Sequence, residues 1–188
     1  SEPLNGYKYV RELCRVADVK VIAHARDRGE MSRTAFSQDV YYAGTKSLAD
    51  GIRRVTEPAF KHAFHLLSVF DFIDYVVWDT NALRLAEALH HQFKFDIVQR
   101  VTPTSIRFPS LIWRLGIPVV SGPHNGGMNW PPGFRHLARR EGTIEKVRVI
   151  GDVLHALSRD FAHFERILVA NERCRRVVPQ WYQHKVRE

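Results

Sequence analysis

Between Phe95 and Arg135 two short apolar runs each lead directly into a polar turn, and no other feature constrains the fold of this chain as much. The first run, Asp96 to Val101, opens into Thr102, Pro103, Thr104 and Ser105. The second, Ile117 to Ser121, opens into the segment from Gly122 to Gly127. Short runs rich in β-branched residues that end in hydroxyl- or glycine-bearing turns are the pattern of buried parallel strands. In open parallel sheets ligands bind outside the carboxyl ends of the strands. Both turns are therefore expected to face one crevice, and a binding site is sought there.

The rest of the chain alternates in the same way. Gly6 to Val16 carries Tyr9, Val10, Leu13 and Val16 at helical spacing, and Val19 to Ala23 reads as a short strand. Asp27 to Ser37 reads as polar loop, Val40 to Tyr42 as a weak strand, and Thr45 to Thr56 as helix or loop ending before Pro58. Ala59 to Gln92 is helical in two parts, the second with Ala82, Leu85, Ala86 and Leu89 on one stripe. After the strand Ile97 to Val101 come a short helix from Ser105 to Leu115 capped by Gly116, a strand from Ile117 to Val120, and a long amphipathic helix from Gly142 to Glu165. A strand from Arg166 to Ala170 follows, and Asn171 caps a last helix, Glu172 to Val177, stopped by Pro179. Helix and strand in succession predict an α/β fold: one domain over residues 1–188 with a doubly wound, mainly parallel, Rossmann-like sheet. Ile97–Val101, Ile117–Val120 and Ile167–Ala170 are expected to be neighbours in it.

Composition excludes several function classes. The least charged stretch, Ala63 to Val77, still holds His65, Asp71 and Asp74, short of the roughly 20 apolar residues a membrane span needs. No signal peptide is visible at Ser1-Glu2-Pro3, and Cys14 and Cys174 form neither a metal spacing nor a disulfide framework, so the cytoplasm is the expected compartment. The net charge of +8 suits an anionic ligand or a membrane surface. Arginines dominate locally at Arg53-Arg54, Arg135 to Arg148 and Arg173 to Arg176, without zinc spacing or the aromatic basic strand of RNA binders, and nucleic acid is not an expected partner. No metal site is expected, because His62 and His65 lack a third ligand and His90-His91 complement a helix end. There is no nucleophile elbow, dinucleotide fingerprint or phosphate loop.

Candidate binding residues follow from position. Gly126 and Gly127 permit close approach of backbone N–H groups to an anion or a sugar oxygen, although paired glycines also serve plain turns. His124, Asn125 and Asn129 offer hydrogen bonds to hydroxyl or phosphate, or else cap the turn. Thr102, Ser105 and Arg107 share the preceding turn, where Arg107 could grip a phosphate or carboxylate as a fork or be a plain surface arginine. Ser1 and Glu2 precede a helix, and Glu2 either accepts sugar hydroxyls or complements the helix dipole.

Ser1-Glu2-Pro3, Gly6 and Val10-Arg11-Glu12-Leu13 resemble the Gly-Ser-Glu-Pro loop and first helix of bacterial retaining glycosyltransferases of the GT-B fold. Val101-Thr102-Pro103-Thr104-Ser105, Arg107-Phe108-Pro109 and Leu111 to Pro118 look like that group's strand, turn and helix. Gly122-Pro123 through Gly126-Gly127 looks like its Gly-Pro-x-Gly-Gly turn. The resemblance implies the N-terminal, acceptor-side half of a two-domain enzyme, without the family's first strand and without its donor domain. It implies transfer of a sugar from a nucleotide-sugar donor to a glycan or lipid-linked acceptor, with peripheral contact at the inner face of the membrane and no cofactor beyond the donor substrate. Gln99 and Arg100 stand where family members often carry histidines, so no catalytic residue is assigned. The alternative reading is a non-catalytic basic α/β module that binds an anionic partner or membrane surface.

Overall fold

The computed structural model describes residues 2–34, 37–44, 64–126 and 153–188. They fall in two units, Pro3–Lys94 and Phe95–Glu188. The class is α/β with parallel strands, as expected, but the described strands form two small sheets where one was expected.

In the first unit, α1 (Glu2–Leu13) lays Tyr7 and Val10, with Cys14 just past its end, against Ala23 and Val40. This stripe is rotated from the expected Tyr9, Val10, Leu13 and Val16, because the helix ends at Leu13 and leaves Val16 81% exposed. Strands β1 (Val21–His24) and β2 (Val40–Ala43) pair in parallel, Val21 opposite Val40. The stretch between them is less of a loop than its polarity suggested. A 3-10 turn, Ala25–Asp27, leads into α2 (Arg28–Met31), and a second turn, Ser37–Asp39, leads into β2.

Helix α3 (Phe64–Phe93) is one unbroken helix of 30 residues, correcting the expected two parts. No glycine or proline lies between Phe64 and Phe93 to break it. Phe72, Tyr75, Asp79, Ala82, Leu83, Ala86 and Leu89 recur at helical spacing and form its buried stripe. Asn81 donates to the Gly44 carbonyl at 2.8 Å, and Arg26 reaches Asp74 at 3.3 Å, tying the helix to the strand ends. The helix stops where Lys94 turns left-handed, φ 54°. The expected helix or loop from Thr45 to Thr56 lies outside the described residues, as does His62.

The second unit holds β3 (Val98–Arg100), β4 (Val119–His124), β5 (Arg166–Val169) and β6 (Val186–Arg187), all parallel and in that order. The three expected strands are therefore neighbours. Val98 pairs with Val119, Ser121 with Ile167, and Ile167 with Val186. Ile106, Val119, Phe161, Phe164, Ile167, Val169, Cys174, Val178 and Val186 form the core, each worth a few kcal/mol of burial at about 25 cal/mol per Å².

Three expectations about the connections are corrected. Residues 105–111 are not helical; only a 3-10 turn, Ile112–Leu115, forms, capped by left-handed Gly116 as anticipated. Strand β4 runs on to His124, through the expected turn, because Gly122 adopts φ 111° and lacks the Cβ that would overlap the Leu168 carbonyl of β5. The long helix ends early: residues 153–158 are helical, Arg159 turns left-handed at φ 57°, and α4 (Asp160–His163) starts afresh. Asn171 caps α5 (Glu172–Arg175), accepting from the Cys174 N–H at 3.0 Å.

Candidate functional site

The turns after β3, β4 and β5 meet at one edge of the second sheet. The Asn125 N–H donates to the Thr104 carbonyl at 3.0 Å, Ser105 and Gly126 form a parallel bridge, and Asn171 donates its side-chain amide to the Asn125 side-chain oxygen at 3.1 Å. A Cβ added at Gly126 would sit 3.1 Å from the Ser105 Cα, so this glycine allows the two turns to close on each other. Thr102 and Asn125 are exposed there; Ser105 and Arg107 are half-buried on the same turn, with the Arg107 N–H directed to the Ser105 hydroxyl at 3.4 Å.

Of the residues singled out from sequence, Thr102, Ser105, Arg107, Asn125 and Gly126 are brought together on this edge. Ser1, Gly127 and Asn129 lie outside the described residues, and Glu2 is the first residue of α1. His124 belongs to the edge but does not face out of it. It is 1% exposed and both ring nitrogens are engaged inside: Nε2 lies 2.9 Å from the Ser121 hydroxyl and Nδ1 3.3 Å from the Thr104 carbonyl. Sequence position gives the strand end, but not that β4 continues far enough to turn this residue inward.

The protonation pattern follows from the donors. Burial, reinforced by the Arg100 guanidinium and opposed by the Thr104 carbonyl, pushes His124 down from its ordinary 6.5 to about 3. The ring is therefore neutral. With Thr104 able only to accept, the proton sits on Nδ1, Nε2 accepts the Ser121 O–H, and the Ser121 oxygen accepts from Arg100 Nη1 at 3.3 Å. This Ser–His pair has the hydrogen bonding of an activated nucleophile, but Ser121 is 0% exposed and no substrate can reach its oxygen. Its role is to hold the end of β4 against Thr104.

Two further buried residues were not anticipated. His155 lies 2.7 Å from an Asp160 carboxylate oxygen and 2.9 Å from the Ile106 carbonyl, and the other Asp160 oxygen accepts the Ser110 N–H at 3.0 Å. On an unbroken helix residues five apart point about 140° away from each other. The turn at Arg159 is what lets them meet, and nothing in the sequence marks it.

Among the described residues no group of three or more His, Cys, Asp or Glu is placed to hold a metal ion, and no helix is long and apolar enough to cross a membrane. The edge is polar: it carries Thr102, Ser105, Arg107 and the mutually bonded Asn125 and Asn171, next to the buried Ser121 and His124. No protein-family model, curated protein or solved structure matches the chain.

Proposed function

We propose that this chain supplies the acceptor side of a glycosyltransferase cleft, where a sugar passes from a nucleotide-sugar to a glycan or lipid-linked acceptor. The observation that carries the reading is the meeting of three strand-end turns, lined by hydroxyl, amide and guanidinium groups, on one edge of a parallel sheet. Sugars present arrays of hydroxyls that such short, fixed donors and acceptors match, and Arg107 suits an anionic group on the acceptor. The motif resemblance of residues 101–118 and 122–127 supports the same reading. Stabilisation of the departing diphosphate falls to cationic groups and helix N-termini of a partner domain, so the chain alone is expected to be inactive.

The test is transfer from nucleotide-sugars by the full-length gene product. Arg107→Ala is expected to raise acceptor KM about 10- to 100-fold, the loss of one charge-assisted contact, while Arg166→Ala, at the other end of β5, leaves it unchanged. No transfer from any donor, or equal KM in both variants, would sink the reading.

A second reading is favoured by one specific observation. Arg173, Arg175 and Arg176 are exposed near Trp181, itself 72% exposed, with Gln183 bonded back to Arg175 at 2.8 Å. A cationic surface with an exposed tryptophan fits an anionic membrane. Co-sedimentation with phosphatidylserine vesicles, lost in Trp181→Ala while no transferase activity is found, would favour this binding module over the enzyme.

A further inference from the structure

The stretch from Ser105 to Leu111 belongs to no helix or strand, so its backbone groups need other partners. Three of them are met by buried side chains at alternate residues. The Ile106 carbonyl accepts from His155 Nε2 at 2.9 Å, the Phe108 carbonyl from Arg100 Nη2 at 2.6 Å, and the Ser110 N–H donates to Asp160 at 3.0 Å. The side chains come from three separate elements: β3, the helical residues 153–158, and α4. They are almost wholly enclosed, with Arg100 8%, His155 7% and Asp160 0% exposed.

His155 and Asp160 act as one unit within this mounting. The imidazole bridges the two sides, with Nδ1 against the Asp160 carboxylate and Nε2 against the Ile106 carbonyl. The Asp160 carboxylate in turn meets three groups: His155, the Ser110 N–H and the Phe161 N–H at 2.9 Å. The Phe161 ring lies over His155, centroids 4.3 Å apart and 12° from parallel, and fixes the plane of the imidazole. Besides the Phe161 N–H, the pair's bonds reach Ile106 and Ser110, on either side of Arg107.

We infer that His155 and Asp160 are positioning residues for the ligand-facing turn, holding Ser105 and Arg107 at the sheet edge through the Ile106 carbonyl and the Ser110 N–H. They touch no ligand themselves. The ligand's place at that turn rests on the proposed function; the clamp on the turn does not.

Amide hydrogen exchange on the full-length protein tests the clamp directly. His155→Phe keeps a ring for Phe161 to stack on and removes both donors. It is expected to speed exchange at residues 106–112 about tenfold or more, while residues 119–121 and 167–169 stay within about twofold. His155→Gln, which keeps one amide donor, is expected to restore part of the protection. Unchanged exchange at 106–112, or an equal rise throughout the sheet, would overturn the inference. In the unsubstituted protein the Ser110 amide is expected to exchange far more slowly than the exposed Thr102 amide, and equally fast exchange at both would overturn the inference even if the variants fail to fold. Inorganic phosphate, titrated while following the Arg107 amide, separates the two ideas. Weaker phosphate binding in His155→Phe than in the unsubstituted protein supports positioning, and equal binding with unchanged exchange refutes it. Loss of exchange protection with no phosphate response in either protein counts against the proposed ligand while leaving the clamp supported.

Discussion

Burying a neutral histidine beside an arginine ties stability to pH. His124 has its folded value depressed to about 3 from 6.5, so between these values the unfolded chain binds the proton and the folded chain does not. Its contribution is present in full above about pH 6.5 and drains away as pH falls. Between pH 7 and 4.5 the unsubstituted protein is expected to lose about 2–3 kcal/mol more than His124→Gln, which has nothing to titrate, and urea unfolding at the two values measures the difference. Gly122 is the other residue with no substitute. Gly122→Ala places a methyl against the Leu168 carbonyl at a backbone angle that alanine resists, and a loss of more than about 2 kcal/mol is expected in the same assay. Neither cost can be read from the sequence, where Gly122 looks like the start of a turn and His124 like an exposed donor. The strand runs on because β5 accepts its backbone closely, which is a property of the pair of strands.

Elements with a strong local pattern were legible and those defined by tertiary partners were not. Val98–Arg100, Val119–His124 and Arg166–Val169 stand out because a buried parallel strand has to be apolar on both faces. Asn171 was legible as a cap because its amide oxygen sits where a helix leaves N–H groups unpaired, although its second bond, to Asn125, was not foreseen. Asn171→Ala is expected to cost about 1 kcal/mol and also to loosen Asn125, which raised exchange at the Asn125 amide would report. The break at Arg159 escaped notice because arginine is a good helix former, and Asp160 beyond it is held by tertiary contacts with His155 and the Ser110 N–H. Glycine adopts this conformation without strain, so Arg159→Gly is expected to leave the melting temperature unchanged or raise it by a few degrees, whereas Arg159→Val lowers it.

At the scale of the whole molecule, the alternation of helix and strand was enough to give the α/β class, but not the division of the described strands between two sheets. Pairing between sheets depends on edges, and edges carry no sequence pattern. A two-stranded parallel sheet such as β1–β2 is a marginal element that relies on what packs against it. Helix α3 supplies that cover on one side, while Ile73, Val76 and Val77 on its outer side are 52%, 37% and 43% exposed. A ridge of this kind promotes association, so sedimentation velocity is expected to show oligomers growing with concentration, reduced in Val77→Lys; a monomer across the whole range would contradict this.

The mounting of residues 106–110 has a consequence for how the edge could change over time. Arg100, His155 and Asp160 grip carbonyl and N–H groups, which every residue type except proline supplies alike. The grip is therefore blind to the side chain at position 107. A substitution there changes the chemistry the edge presents while leaving the shape of the turn intact. The frame of the turn and the chemistry on its surface are thus set by different residues and can drift separately.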